Sequence, residues 1–127
     1  MSLELTILSN LINSEKYVRK VLPFLKMDYF QERSHKIIFL EIHEYVNQYD
    51  SLPSLNAIAI ECQERTDLNE DQFKEILEVL NVLSDDTADY DWLIDTTEKW
   101  CQERAIYLSL MELSLIHISE PTRPVMI

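Results

Sequence analysis

The sequence predicts an all-α fold, a small bundle of about six helices that ends in a long antiparallel helical hairpin. Three observations lead to this prediction. Apolar residues recur with the helical period of 3.6, short polar joints separate the periodic segments, and the chain contains no glycine, although average usage would give it roughly nine. Tight hairpin turns in sheets depend on glycine, so its absence disfavours a β-rich fold. The chain of 127 residues is long enough for one domain with one hydrophobic core.

The first half of the chain predicts two short helices and a long one. A leucine-rich helix covers 3–12, and Ser14 caps a short second helix that Pro23 ends. A brief turn at 27–30 buries an aromatic side chain, and a strong helix follows over 33–49. The core stripe predicted for that helix is Ile38, Ile42, Tyr45 and Tyr49, flanked by His35, Phe39 and Val46.

Two capping signals place the next helices. Ser54 follows the joint 50–53 and caps a helix that runs through Cys62. Asn69, with Gln72 three residues later, forms a capping box for the helix after it. The predicted core stripe of this helix is Phe73, Ile76, Leu77, Leu80 and Leu83.

The predicted hairpin consists of the last two helices. Asp89 caps a long helix from Tyr90 to about Met111, and the acidic loop 84–89 joins it to the helix over 69–83. Leu93, Trp100, Tyr107 and Met111 share one side of the last helix. A hairpin buries one side and leaves the other for a partner, so we expect self-association there. The expected interface residues are Val79, Val82, Ile94, Trp100 and Tyr107.

The charge pattern argues against direct binding of nucleic acid by this chain. Its formal net charge is -12, and the segment 61–98 carries thirteen acids against Arg65 and Lys74. Such a surface repels phosphate, and its simplest interpretation is a solvated acidic face. The chain has no GxxxxGK[ST] and no GxGxxG motif, and therefore no recognisable nucleotide site.

Cysteine usage and hydropathy predict a reduced cytoplasmic protein. Cys62 and Cys101 lie far apart, without a CxxC motif or a His/Cys cluster at metal spacing, and fit free thiols better than a disulfide framework. The sequence shows no secretory signal and no apolar run of about 18 residues.

The titratable residues do not form a catalytic pattern. His35 and His43 are eight residues apart on one helix, about 12 Å along its axis, too far to share a metal. His35 and Glu32 could act as an acid/base pair, but capping or core packing is the favoured role. We expect no catalytic, cofactor or metal residues in the chain.

The last fifteen residues depart from the helical pattern. Residues 113–123 resemble, residue for residue, the translation of a common transposon-based sequencing adapter, and 124–127 fit its continuation. We therefore expect 113–127 to be adapter-derived rather than natural, and the natural protein to continue past Glu112. The alternative is a natural helix end followed by a proline-containing tail.

A family resemblance rests on the order of several segments. The run from Tyr29 to Phe39 places Phe30 five residues before His35, and Ile38 with Phe39 three and four residues after it. Other segments with family-like sequence are 7–9, 52–57, 92–93 and 97–105. In this order the chain resembles the amino-terminal domain of DnaB-type replicative helicases, and within that family those of T-even-type tailed phages. The resemblance marks Phe30, His35, Ile38 and Phe39 as a motif core.

The resemblance implies a hexameric helicase that moves 5′ to 3′ along single-stranded DNA. Residues 1–112 would form the collar domain, which assembles subunits and meets primase and the helicase loader. ATP and Mg²⁺ would act in a motor domain that this chain lacks, so these residues alone would not hydrolyse ATP. The complete helicase would work in the host cytoplasm. The acidic segment 61–98 suggests an alternative function, that of a self-contained helical phage adaptor or DNA mimic.

Overall fold

The computed structural model describes residues 2–83 and 89–119, with side chains up to residue 113. The described residues form helices and two 3-10 turns, with no strand among them, which confirms the predicted all-α class. The helices are α1 Leu3–Asn13, α2 Glu15–Val21, α3 Arg33–Tyr49, α4 Leu55–Gln63, α5 Glu70–Val82 and α6 Tyr90–Ser119, and the turns are Leu22–Phe24 and Met27–Tyr29.

Side-chain caps begin the helices where the sequence predicts them. The hydroxyls of Ser14 and Ser54 accept hydrogen bonds from backbone N–H groups three residues later, at 3.2 and 3.0 Å. The Asn69 side chain accepts from the Gln72 N–H at 2.8 Å, and the Gln72 side chain accepts from the Asn69 N–H at 3.1 Å. The predicted capping box is therefore confirmed. Asp89 caps α6 by accepting from the Trp92 N–H at 3.1 Å.

The end of α3 shows how a chain without glycine closes a helix. Asp50 takes the left-handed conformation, with φ 53° and ψ 36°, and its N–H donates to the Val46 carbonyl. This C-terminal position usually belongs to glycine, and aspartate is among the few other residues that adopt it. The Asp50 carboxylate pairs with Arg19 at 3.0 Å, which ties the turn to α2.

The core lies between α1, α2 and α3, with α4 and α5 packed on α3. Ile38 and Ile42 are fully buried, as their stripe predicts. Tyr49, predicted for the same stripe, is 57% exposed, because α3 extends past the elements that cover its first turns and its last turn meets solvent. Tyr45 is half-buried and contacts the Tyr49 ring at a centroid distance of 4.7 Å.

The helical hairpin is not confirmed. Helix α5 packs mainly on α3 and α4, whereas α6 packs on α2 and on the turn Met27–Tyr29. The joining segment 84–88 lies outside the described residues. Helical period shows that α5 and α6 each have an apolar side, but it does not say which neighbour covers that side.

Helix α6 is longer than predicted. The sequence places its end near Met111, whereas the helix continues to Ser119. Eight residues are thus added to the predicted length, and they include the first residues of the segment expected to be adapter-derived. No proline or glycine occurs between Tyr90 and Pro121, so no strong helix breaker stops this helix earlier.

Candidate interaction surface on the last helix

The first half of α6 is anchored in the bundle. Leu93 is 1% exposed and Trp100 8%. Between them, the hydroxyls of Thr97 and Tyr17 share a buried hydrogen bond of 2.7 Å, which joins α6 to α2. Burial also raises the pKa of the Tyr17 phenol, so this hydroxyl stays neutral and able to donate or accept.

An aromatic cluster fixes the middle of α6. The Trp100 ring meets Phe30 at a centroid distance of 5.1 Å and Tyr29 at 6.1 Å, both edge-on. Phe30 also packs against Phe39 at 5.2 Å. Edge-on contacts at these distances are favourable for aromatic rings. The residues singled out by the family motif, Phe30, His35, Ile38 and Phe39, are all buried.

The buried histidine has a partner that the sequence pattern did not indicate. His35 Nδ1 lies 2.7 Å from the Glu4 carboxylate, and both side chains are buried. Glu32, the neighbour considered from sequence, lies 3.6 Å from His35 Nε2 and is exposed to solvent. The Glu4 carboxylate also accepts from the Gln31 N–H at 3.3 Å. These contacts link α1 to the start of α3.

Beyond residue 105, α6 presents apolar side chains to solvent. Ile106 is 61% exposed, Tyr107 49%, Leu110 60% and Met111 46%. We call these four residues the α6 strip. They are spaced by one and four positions, so they form a continuous apolar surface on one side of the helix. All side chains from Ser109 to Leu113 are exposed, so this part of α6 extends beyond the bundle.

The five residues expected at the interface do not form one exposed surface. Val82 and Tyr107 are about half exposed, on α5 and α6 respectively. Val79 and Ile94 are partly buried against the core. Trp100 differs from the expectation most clearly, because it is buried in the aromatic cluster and is not available to a partner.

Of the α6 strip, sequence reasoning named Tyr107 as an interface residue and placed Met111 on the same side of the helix, but it missed Ile106 and Leu110. A periodicity signal was present, because Ile106 and Leu110 are four residues apart. The period alone does not show where along α6 the bundle stops covering the helix: Trp100 is buried, whereas Ile106 and Leu110 are exposed.

The two cysteine thiols are not activated as nucleophiles. Cys62 and Cys101 are free thiols. Burial, with smaller contributions from nearby carboxylates, raises the pKa of Cys62 to about 12 and that of Cys101 to about 11, so both are protonated at neutral pH. Among the described residues, histidine, cysteine and carboxylate side chains form no cluster that could hold a metal ion. No helix within the described residues is long and apolar enough to cross a membrane.

The described part of the chain is thus an all-α bundle whose last helix carries an exposed apolar strip. Over 101 residues, or 80% of its length, the chain is 35% identical to a protein of Enterobacteria phage T4 described as a DnaB-like replicative helicase. This match confirms the resemblance to DnaB-like replicative helicases and supports a helicase-related role. It covers 21% of the length of that relative. No model of a known protein family matches the chain.

Proposed function

We propose that residues 1–112 form the amino-terminal collar of a hexameric, ATP-dependent 5′ to 3′ replicative DNA helicase, where they assemble subunits and dock partners. The observation that carries this proposal is the 35% identity to a DnaB-like replicative helicase over 80% of the chain. ATP and Mg²⁺ would act in a motor domain outside these residues. The role of the collar would be assembly, and single-stranded DNA would pass through the complete ring.

The α6 strip supports the assembly role. Fully burying a large apolar side chain stabilises by about 1.5–3 kcal/mol, so burying the exposed half of each strip residue contributes about 1 kcal/mol. Ile106, Tyr107, Leu110 and Met111 together would then supply about 4 kcal/mol per chain before the entropic cost of association. All four precede residue 113, so the surface does not depend on the segment expected to be adapter-derived.

The strip is tested by Leu110→Glu, which places a charge in the middle of the apolar surface. Gln102→Glu is the matched control, because it adds the same charge at an exposed position two turns earlier on the same helix. Size-exclusion chromatography with light scattering measures the mass, and circular dichroism measures the helix content. A single chain has a mass of 15.1 kDa.

We expect the original chain and Gln102→Glu to form oligomers, with masses at least twice the single-chain mass of 15.1 kDa. Leu110→Glu should have the single-chain mass with unchanged helix content, because burying an unpaired carboxylate in an apolar contact is costly. Unchanged oligomers in Leu110→Glu would reject the strip as the interface. Val82→Glu tests the exposed α5 position that the sequence proposed, and a loss of oligomers there alone would move the interface to α5.

Primase and the helicase loader remain the proposed partners, and the host cytoplasm the proposed location. The alternative function, a self-contained acidic adaptor or DNA mimic, rests on the acidic segment 61–98. The sequence relation to a replicative helicase favours the collar instead. Reading the gene beyond Glu112 separates the two, because a continuing frame with GxxxxGK[ST] supports a helicase and a stop codon supports the adaptor.

A further inference from the structure

A second surface feature is a cavity of about 310 Å³ between the turn Met27–Tyr29, the start of α3 and the middle of α6. Two cationic side chains, Lys36 from α3 and Arg104 from α6, line it. Its other polar lining residues are Asp28, Gln31 and Tyr107. Because the chain has a net charge of -12, a cavity lined by two basic side chains differs in charge from the chain as a whole.

Backbone carbonyls hold both cations in place. Arg104 Nε donates to the Tyr29 carbonyl at 2.6 Å, and the Lys36 ammonium donates to the Phe30 carbonyl. Because these carbonyls belong to consecutive residues, the two charged groups are held near each other. The Arg104 guanidinium also lies over the Tyr107 ring, 4.9 Å from its centroid. Both cations are half-buried, so their positions are restricted.

Within residues 2–83 and 89–113, neither cation forms an ion pair with an acid. Two other arginines do pair with acids. Arg19 pairs with Glu15 and Asp50, and Arg65 pairs with Glu41 and Asp67. Lys36 and Arg104 instead use part of their donors on carbonyls. An ammonium has three N–H donors and a guanidinium five, so donors of both groups remain for a ligand.

We propose that this cavity binds a carboxylate presented by an acidic segment of a partner protein. Two fixed cations can share the two oxygens of one carboxylate, and hydrogen bonds between charged groups of this kind are about twice as strong as neutral ones. Nucleic acid fits less well. It brings many phosphates to a chain of net charge -12, while the cavity offers two cations and has Asp28 in its lining.

The site is contained in one chain, so the proposal does not depend on self-association. The probe is a capped tetraglutamate peptide, titrated into the 127-residue chain labelled with ¹⁵N. NMR follows the Arg104 Nε–H signal and the backbone amides of residues 28–31. We expect these signals to shift together, with a Kd on the order of 1 mM.

Lys36→Gln and Arg104→Gln remove one charge each but keep an N–H donor for the carbonyl of Phe30 or Tyr29. Loss of one charge-assisted hydrogen bond should weaken binding about tenfold. Lys26→Gln is the matched control. Lys26 is exposed and lies outside the cavity lining, so this substitution removes the same charge away from the site. It should leave the Kd within about twofold, and thermal melts of each variant verify that the chain remains folded.

A parallel titration with inorganic phosphate distinguishes the source of the anion. Shifts with the peptide that weaken in Lys36→Gln and Arg104→Gln, and persist in Lys26→Gln, support the proposal. Shifts with phosphate and none with the peptide would overturn the assignment to an acidic protein segment. Absence of any shift at residues 28–31, or equal peptide binding by all three variants, would overturn the site itself.

Discussion

The hydrogen bond between Tyr17 and Thr97 predicts strong energetic coupling between α2 and α6. The two hydroxyls are 2.7 Å apart, Tyr17 is fully buried and Thr97 is 2% exposed. Tyr17→Phe removes one hydroxyl and leaves the other buried without this partner, and Thr97→Val does the reverse. The double variant removes both hydroxyls and leaves neither unsatisfied.

The magnitudes follow from burial. A buried polar group that loses its partner costs about 1–3 kcal/mol, whereas replacing both partners by apolar groups of similar shape is nearly neutral. We therefore expect each single variant to lower the free energy of unfolding by about 1–3 kcal/mol. The double variant should lose no more than either single one, which gives a coupling energy of about 1–3 kcal/mol between the two positions.

Urea unfolding followed by circular dichroism measures the four members of this cycle, and thermal melts should shift by about 4 °C per kcal/mol. Tyr49→Phe is the matched control, because the Tyr49 ring is 57% exposed and loss of its hydroxyl should change stability by less than about 0.5 kcal/mol. If the effects of Tyr17→Phe and Thr97→Val simply add, the two hydroxyls do not interact and the placement of α6 against α2 is wrong.

Three further predictions concern stability and pH. Asn69→Ala should cost about 1 kcal/mol in urea unfolding, because it removes the capping box that begins α5; an unchanged midpoint would contradict that role. Phe30→Ala should cost about 3–5 kcal/mol, because Phe30 is fully buried between Phe39 and Trp100, and a loss below 1 kcal/mol would contradict that packing. Burial raises the pKa of Cys62 from 9.0 to about 12, so the unfolded chain releases this proton first as pH rises. Stability should therefore fall above pH 9 by up to about 1.4 kcal/mol per pH unit, more steeply than in Cys62→Ala, and equal slopes would refute the shift.

Local signals in the sequence predicted the helices well because each depends on a few neighbouring residues. Ser14, Ser54 and Asn69 cap helices because each side chain reaches a backbone N–H three residues later. The bounds of α3 also agree with the prediction over 33–49. The end of α6 was predicted too early, since no proline or glycine stops that helix before Pro121.

Long-range partners were much harder to predict. The period of α5 and α6 suggested a hairpin, but α5 packs on α3 and α4 while α6 packs on α2. Trp100 was expected to face a partner and is instead enclosed by Tyr29 and Phe30, about seventy residues earlier in the chain. The surface that the structure does offer, the α6 strip, comes from the part of α6 that the bundle leaves uncovered.

The sequence by itself determined the all-α class, the helix starts and the resemblance to DnaB-like replicative helicases, because caps, periodicity and family motifs are all read along the chain. Only the tertiary structure decided that His35 meets Glu4, that Lys36 and Arg104 share one cavity, and that Trp100 is buried while Leu110 is exposed. The physical reason is that the type of a side chain indicates whether it favours burial or pairing. Which residue it then contacts depends on how helices distant in sequence pack together.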